Sequence, residues 1–125
     1  SSLNELIELS DLITINADLN PTSKNLISKE QLDLMNGKYL VNTARAEIIN
    51  KEYLIKVLEN KLLKGFATDV YWDEQNLSKY DSDLLNLKNK GLNIILTPHI
   101  GGCTSDAMHK TEALIIDLLE EILQL

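Results

Sequence analysis

Four short runs of apolar, β-branched or aromatic residues, separated by segments of helical period, set what this chain can fold into. The runs are Leu12-Ile13-Thr14-Ile15, Tyr39-Leu40-Val41-Asn42, Gly65-Phe66-Ala67-Thr68-Asp69-Val70 and Asn93-Ile94-Ile95-Leu96-Thr97. Each is too short for a helix and lacks strict polar alternation, the pattern of strands buried on both faces. Between them Leu3, Leu6 and Ile7, then Leu32 and Met35, then Leu54, Val57, Leu58 and Leu62 recur at helical spacing and mark amphipathic helices. Ser28 with Gln31 forms an S-x-x-Q capping box and Asn50 a second N-cap. Gly37 and Gly65 then stop the helices or turn the chain into the next strand. Strand-helix alternation implies right-handed crossovers, so the expected fold is α/β, an open parallel sheet of about four strands with helices on its faces.

A chain of 125 residues is long enough for one core, burying roughly two-thirds of its unfolded surface without staples. A lone Cys103 cannot form an intramolecular disulfide, which points to a reducing, cytoplasmic compartment. Twelve Lys and Arg against 19 Asp and Glu give a net charge of −7 and disfavour nucleic acid, whose phosphates demand clustered cations. Neither a signal peptide nor a membrane span is expected, because no basic leader opens the chain and charges interrupt every long apolar run. The last helical segment, from Met108 to Leu125, has an apolar face wide enough to pair with another chain or a further domain; docking on its own sheet is the alternative. Residues 71–90, with Trp72, Asp73, Glu74, Tyr80 and Asp81, read as one long irregular stretch, a feature that is usually functional or partly disordered.

In open parallel sheets ligands bind beyond the carboxyl ends of the strands. Following each run to that end gives Asn42-Thr43-Ala44-Arg45, then Asp69-Val70-Tyr71-Trp72-Asp73-Glu74, then Thr97-Pro98-His99-Ile100-Gly101-Gly102. Arg45 can fork onto a carboxylate, and His99 can exchange a proton near neutral pH. A carboxylate such as Glu74 against an imidazole holds its orientation and favours the charged ring. The set suggests an anionic substrate and a proton-transfer step. Structural uses stand beside these: Arg45 as a solvated or salt-bridged side chain, His99 as a satisfied strand-end histidine, Asp69 as a loop cap, Glu74 as a solvated carboxylate, and Gly101-Gly102 as a tight turn. His109 reads as a surface residue and Cys103 as a small packed side chain. Two His and one Cys without ligand spacing give no metal site.

Taken in order, these three segments resemble the D-isomer-specific 2-hydroxyacid dehydrogenase family, and the likeness extends upstream to residues 10–15 and 20–27. The resemblance implies a partial Rossmann-like open parallel sheet with helices on both faces, and an NAD-dependent oxidoreductase, with NADP as the other possible cofactor. Arg45 would bind the substrate carboxylate, His99 would exchange a proton with the substrate oxygen, and Glu74 would pair with His99 as the third catalytic residue. Asp69 would bond the nicotinamide carboxamide, helped by the backbone at Thr43 and Ala44, while Gly101 and Gly102 allow close approach of backbone beside His99. Departures from the family pattern are Ala46 for Gly after the Arg, Gln75 for Pro after the Glu, and Asn16-Ala17-Asp18 for His-x-Pro. Asp18 would add negative charge near a pyrophosphate if it pointed inward. Formate dehydrogenases resemble this sequence but carry Gln where Glu74 stands, which sets formate aside.

No G-x-G-x-x-G occurs, and the family's fingerprint, with an acidic residue about twenty positions on, belongs before Ser1. The chain also opens without Met, as a piece cut from a longer protein would. Residues 1–103 are therefore expected to form the C-terminal half of a dinucleotide-binding domain and residues 104–125 a helix leading toward a substrate domain, without turnover in isolation. The implied partners are a small 2-hydroxy or 2-keto acid and a second copy in a homodimer. A non-enzymatic, cofactor-responsive corepressor on the same fold is the alternative. A phospho-receiver is rejected, since Asn16-Ala17 and Thr97 stand where its paired acids and Lys would be.

Overall fold

The computed structural model describes residues 2–74 and 82–123; Ser1, Gln75, Tyr80, Asp81 and Leu125 lie outside them. The element order is α1 (Leu3–Leu9), β1 (Leu12–Ile15), α2 (Lys29–Asp33), β2 (Tyr39–Asn42), a 3-10 turn (Ala46–Ile48), α3 (Lys51–Glu59), β3 (Gly65–Thr68), α4 (Ser82–Asn89), β4 (Ile94–Leu96) and α5 (Ser105–Leu123). The four strands form one all-parallel sheet in sequential order, β1-β2-β3-β4.

Local chemistry sets the helix ends. Asn50 caps α3, its Oδ1 accepting from the Tyr53 N–H at 2.9 Å, and Gln31 Oε1 accepts from both the N–H and the hydroxyl of Ser28. Gly37 takes a left-handed φ of 73° and donates to the Leu62 carbonyl at 2.7 Å, as a chain reversing after α2 requires. The residue that turns the chain out of α3 is Lys61, in a left-handed conformation; Gly65 is already the first residue of β3.

Sequence expectations are corrected at four points. First, the helices do not cover both faces: packing contacts join α1 to α2, α2 to α3 and α3 to α4 in a single layer. Crossovers of one hand between strands laid down in sequential order put the connecting helices α2, α3 and α4 on the same side. The core thus lies between this layer and Ile13, Ile15, Leu40, Phe66 and Ile94, while Leu12, Tyr39 and Ile95 on the opposite face stay exposed. Second, the stretch read as irregular over 71–90 contains α4, which buries only Leu84 and Leu87. Third, α5 has no buried residue among those described, so it is not docked on its own sheet. Cys103 is exposed rather than packed.

Candidate active site

Register places Asn42 beside Thr68, and Thr68 beside Leu96. Residues 43–45, 69–74 and 97–102 therefore leave the sheet at one edge, from strands about 4.8 Å apart. Past the end of β3, the Thr68 hydroxyl donates to the Val70 carbonyl and accepts from the Val70 N–H, turning the chain sharply.

Beyond that turn the titratable groups converge. His99 Nδ1 lies 2.7 Å from Glu74 Oε2. The other Glu74 oxygen, Oε1, accepts from the Tyr71 N–H at 2.6 Å, so the carboxylate is fixed at both oxygens. Neither partner is deeply buried, with 42% of the His99 and 34% of the Glu74 side chain exposed, which leaves the imidazole within reach of a ligand.

Asp69 grips the loop that carries His99. Its Oδ1 accepts from the Thr97 hydroxyl and, at 3.1 Å, from the Ile100 N–H, and its Oδ2 accepts from the Gly101 N–H at 2.8 Å. These bonds flank His99, which adopts a left-handed φ of 52°, a conformation uncommon for residues with side chains. A Cβ at Gly101 would stand 3.0 Å from Asp69 Oδ2, whereas one at Gly102 would meet nothing. At this glycine pair the close protein contact is the one between Gly101 and Asp69. Burial opposes the charge on Asp69, but the Thr97 hydroxyl, the Gly101 and Ile100 N–H groups and the neighbouring His99 ring together outweigh it, holding the carboxyl below its ordinary value of 3.8.

Arg45, Thr43 and Ala44 lie at the ends of β1 and β2, where they line an open hollow of about 530 Å³ with Asn16, Ala17 and Asp18. The Arg45 guanidinium donates to the Ala44 carbonyl at 2.7 Å and makes no ion pair with another described residue. Asn42, 1% exposed, donates through Nδ2 to the Arg45 carbonyl and accepts through Oδ1 from the Ala44 N–H, both at 3.0 Å. The Ala44 N–H is thereby engaged, while the exposed Thr43 makes no side-chain hydrogen bond to a described residue. Asp18 holds the Asn20 amide at 3.1 Å. Thus Asp69, Glu74, His99 and Gly101 form one connected cluster, with Arg45 and Thr43 on the neighbouring strand end.

Sequence reasoning passed over Asn42, Tyr71 and Thr97 as site residues. Their common signal is a polar group at or just past the end of an apolar strand, where an unpaired donor or acceptor is costly and must find a partner. Among the described residues no group of three or more His, Cys, Asp or Glu converges on a metal position, and no helix is long and apolar enough to cross a membrane.

Comparison with known proteins places the fold. The profile of the D-isomer specific 2-hydroxyacid dehydrogenase NAD-binding domain matches residues 1–101, and the chain belongs to that family. A protein of Staphylococcus haemolyticus named as a 2-hydroxyacid dehydrogenase is 42% identical over 106 residues, covering 84% of this chain and 31% of its own length. Among solved structures, an NAD-dependent formate dehydrogenase from Staphylococcus aureus in complex with NAD aligns at a TM-score of 0.77 and 34% identity, over 98% of this chain and 36% of that one. A D-lactate dehydrogenase from Aquifex aeolicus complexed with NAD and lactic acid aligns at 0.81 and 27% identity, over 99% and 40%. The chain spans about a third of the length of the curated relatives it matches.

Proposed function

We propose that this chain supplies the catalytic edge of an NAD-dependent D-2-hydroxyacid dehydrogenase, a protein of its relatives' length that interconverts a D-2-hydroxy acid and its 2-keto acid. The observation that carries this reading is the His99–Glu74 pair, 2.7 Å apart, with the carboxylate fixed at its second oxygen by the Tyr71 N–H. Bound NAD would supply the hydride acceptor for substrate C2, or NADH the donor. During reduction His99 gives a proton to the keto oxygen, and Glu74 stabilises the charged imidazole from which it leaves; oxidation runs the same transfer in reverse. Arg45, held two strand spacings from β4, about 10 Å, binds the substrate carboxylate through its forked N–H groups.

The residues at the edge fit a nicotinamide group. Thr43 is exposed beside the hollow, and Asp69 Oδ2 accepts one hydrogen bond from the described residues, leaving a lone pair for a carboxamide N–H. Residues 1–103 act in this reading as the C-terminal half of the cofactor domain, and residues 104–125 as the helix leading toward the substrate domain. A homodimer in the cytoplasm is the assembly proposed, supported by the exposed apolar side chains of α5 such as Leu114, Leu118 and Ile122.

A substrate panel tests the reading. NADH oxidation by the dehydrogenase containing this chain is expected to saturate with one or more 2-keto acids, with no reduction of NAD by formate. Formate-dependent NAD reduction without 2-keto acid turnover would overturn it.

A further inference from the structure

The two arms of the His99–Glu74 pair arrive from different loops, and their alignment depends on what joins those loops. Glu74 follows β3 and His99 follows β4. Among the described residues, Tyr71 is hydrogen-bonded both to Glu74 and to the strand end that carries His99. Its backbone N–H donates to Glu74 Oε1 at 2.6 Å, and its hydroxyl donates to the Thr97 carbonyl at 2.7 Å, two residues before His99. The ring between these two bonds is 8% exposed and belongs to the hydrophobic core, so its hydroxyl is presented from a rigid support. Trp72, packed against the same core, continues the turn toward Glu74 and lies under the Lys51 ammonium, 5.8 Å from its ring centroid.

We infer that Tyr71 is a positioning residue for proton transfer: it sets the distance between Glu74 and His99 by holding one loop through its main chain and the other through its hydroxyl. This rests on the proposed dehydrogenase function and names a further residue of the same site. The hydroxyl-to-carbonyl bond is only partly buried, so the freed Thr97 carbonyl can turn to water at a modest cost in stability. Asp69 still grips the His99 loop, but the tie between that loop and the Glu74 turn through the tyrosine ring is lost. A shift of even a fraction of an ångström separates two groups that must stay in hydrogen-bond contact while a proton moves.

Tyr71→Phe removes the hydroxyl and keeps the ring and the N–H. In the dehydrogenase containing this chain it is expected to lower kcat about threefold to tenfold, the range of one neutral hydrogen bond. The KM values for 2-keto acid and NADH should stay as they were. In a Glu74→Gln background the same substitution should have no further effect on kcat, because the charged pair it aligns is gone. An unchanged kcat for Tyr71→Phe, or the same fractional loss in both backgrounds, would overturn the inference; the second pattern, with a matching fall in Tm, is that of a purely structural tyrosine. If Glu74→Gln and His99→Gln themselves leave kcat intact, the dehydrogenase reading fails and the inference with it. A fall for those two variants with a silent Tyr71→Phe removes the inference alone.

Discussion

Asp69 shows how one side chain can brace the loop on which the proposed chemistry depends. The sequence motif marks it as a cofactor contact, yet in the fold its two oxygens collect the Thr97 hydroxyl and the Ile100 and Gly101 N–H groups. That grip was not legible in the sequence, since the partners lie about thirty positions away and meet it only when β3 and β4 pair. Because its folded carboxyl is held below the ordinary value of 3.8, its stabilisation is fully present above that value and disappears as pH falls through the lower, folded one. Asp69→Asn should therefore reduce the chain's resistance to urea at neutral pH, by about 1.5–3 kcal/mol for the lost charge-assisted bonds. The gap between variant and parent should close as the pH drops below 3.8. A gap that persisted in acid would show that the carboxylate charge does not hold the loop.

At the scale of elements, strands were more legible than helices. Runs such as 12–15 and 39–42 became β1 and β2 residue for residue, because short β-branched segments have few other ways to bury themselves. The third and fourth runs came out shorter, since Asp69, Val70 and Thr97 leave the ladder to build the site. Helix α4 escaped notice because it offers the core only Leu84 and Leu87 amid polar residues, too weak a stripe to distinguish from a loop. Caps were read well where the side chain and its target lie close in sequence. Asn50→Ala removes the acceptor for the Tyr53 N–H and should destabilise the chain by about 1 kcal/mol, measured by thermal unfolding. Since α3 packs on both α2 and α4, a loss well below that would mean the neighbouring helices, and not the cap, fix where α3 begins.

For the whole molecule, alternation in sequence told that helices would pack on the sheet without telling on which side. Sequential strand order with one crossover hand leaves Leu12, Tyr39 and Ile95 facing solvent, and that order is a property of the assembled sheet. The site was legible to a greater degree, because Arg45, Asp69, Glu74 and His99 all sit at or just past strand ends, and in a parallel sheet those ends share an edge. What stayed hidden was the bracing by Asn42, Tyr71 and Thr97, which is set by the meeting of loops. The proposed chemistry turns on His99, aligned by Glu74, exchanging the proton with substrate. Its most direct test is kcat for 2-keto acid reduction by the dehydrogenase containing this chain, compared with its His99→Gln variant at saturating NADH. A fall of about 10²–10⁴-fold with the KM for NADH preserved is the predicted result; turnover within a few fold of the parent would contradict it.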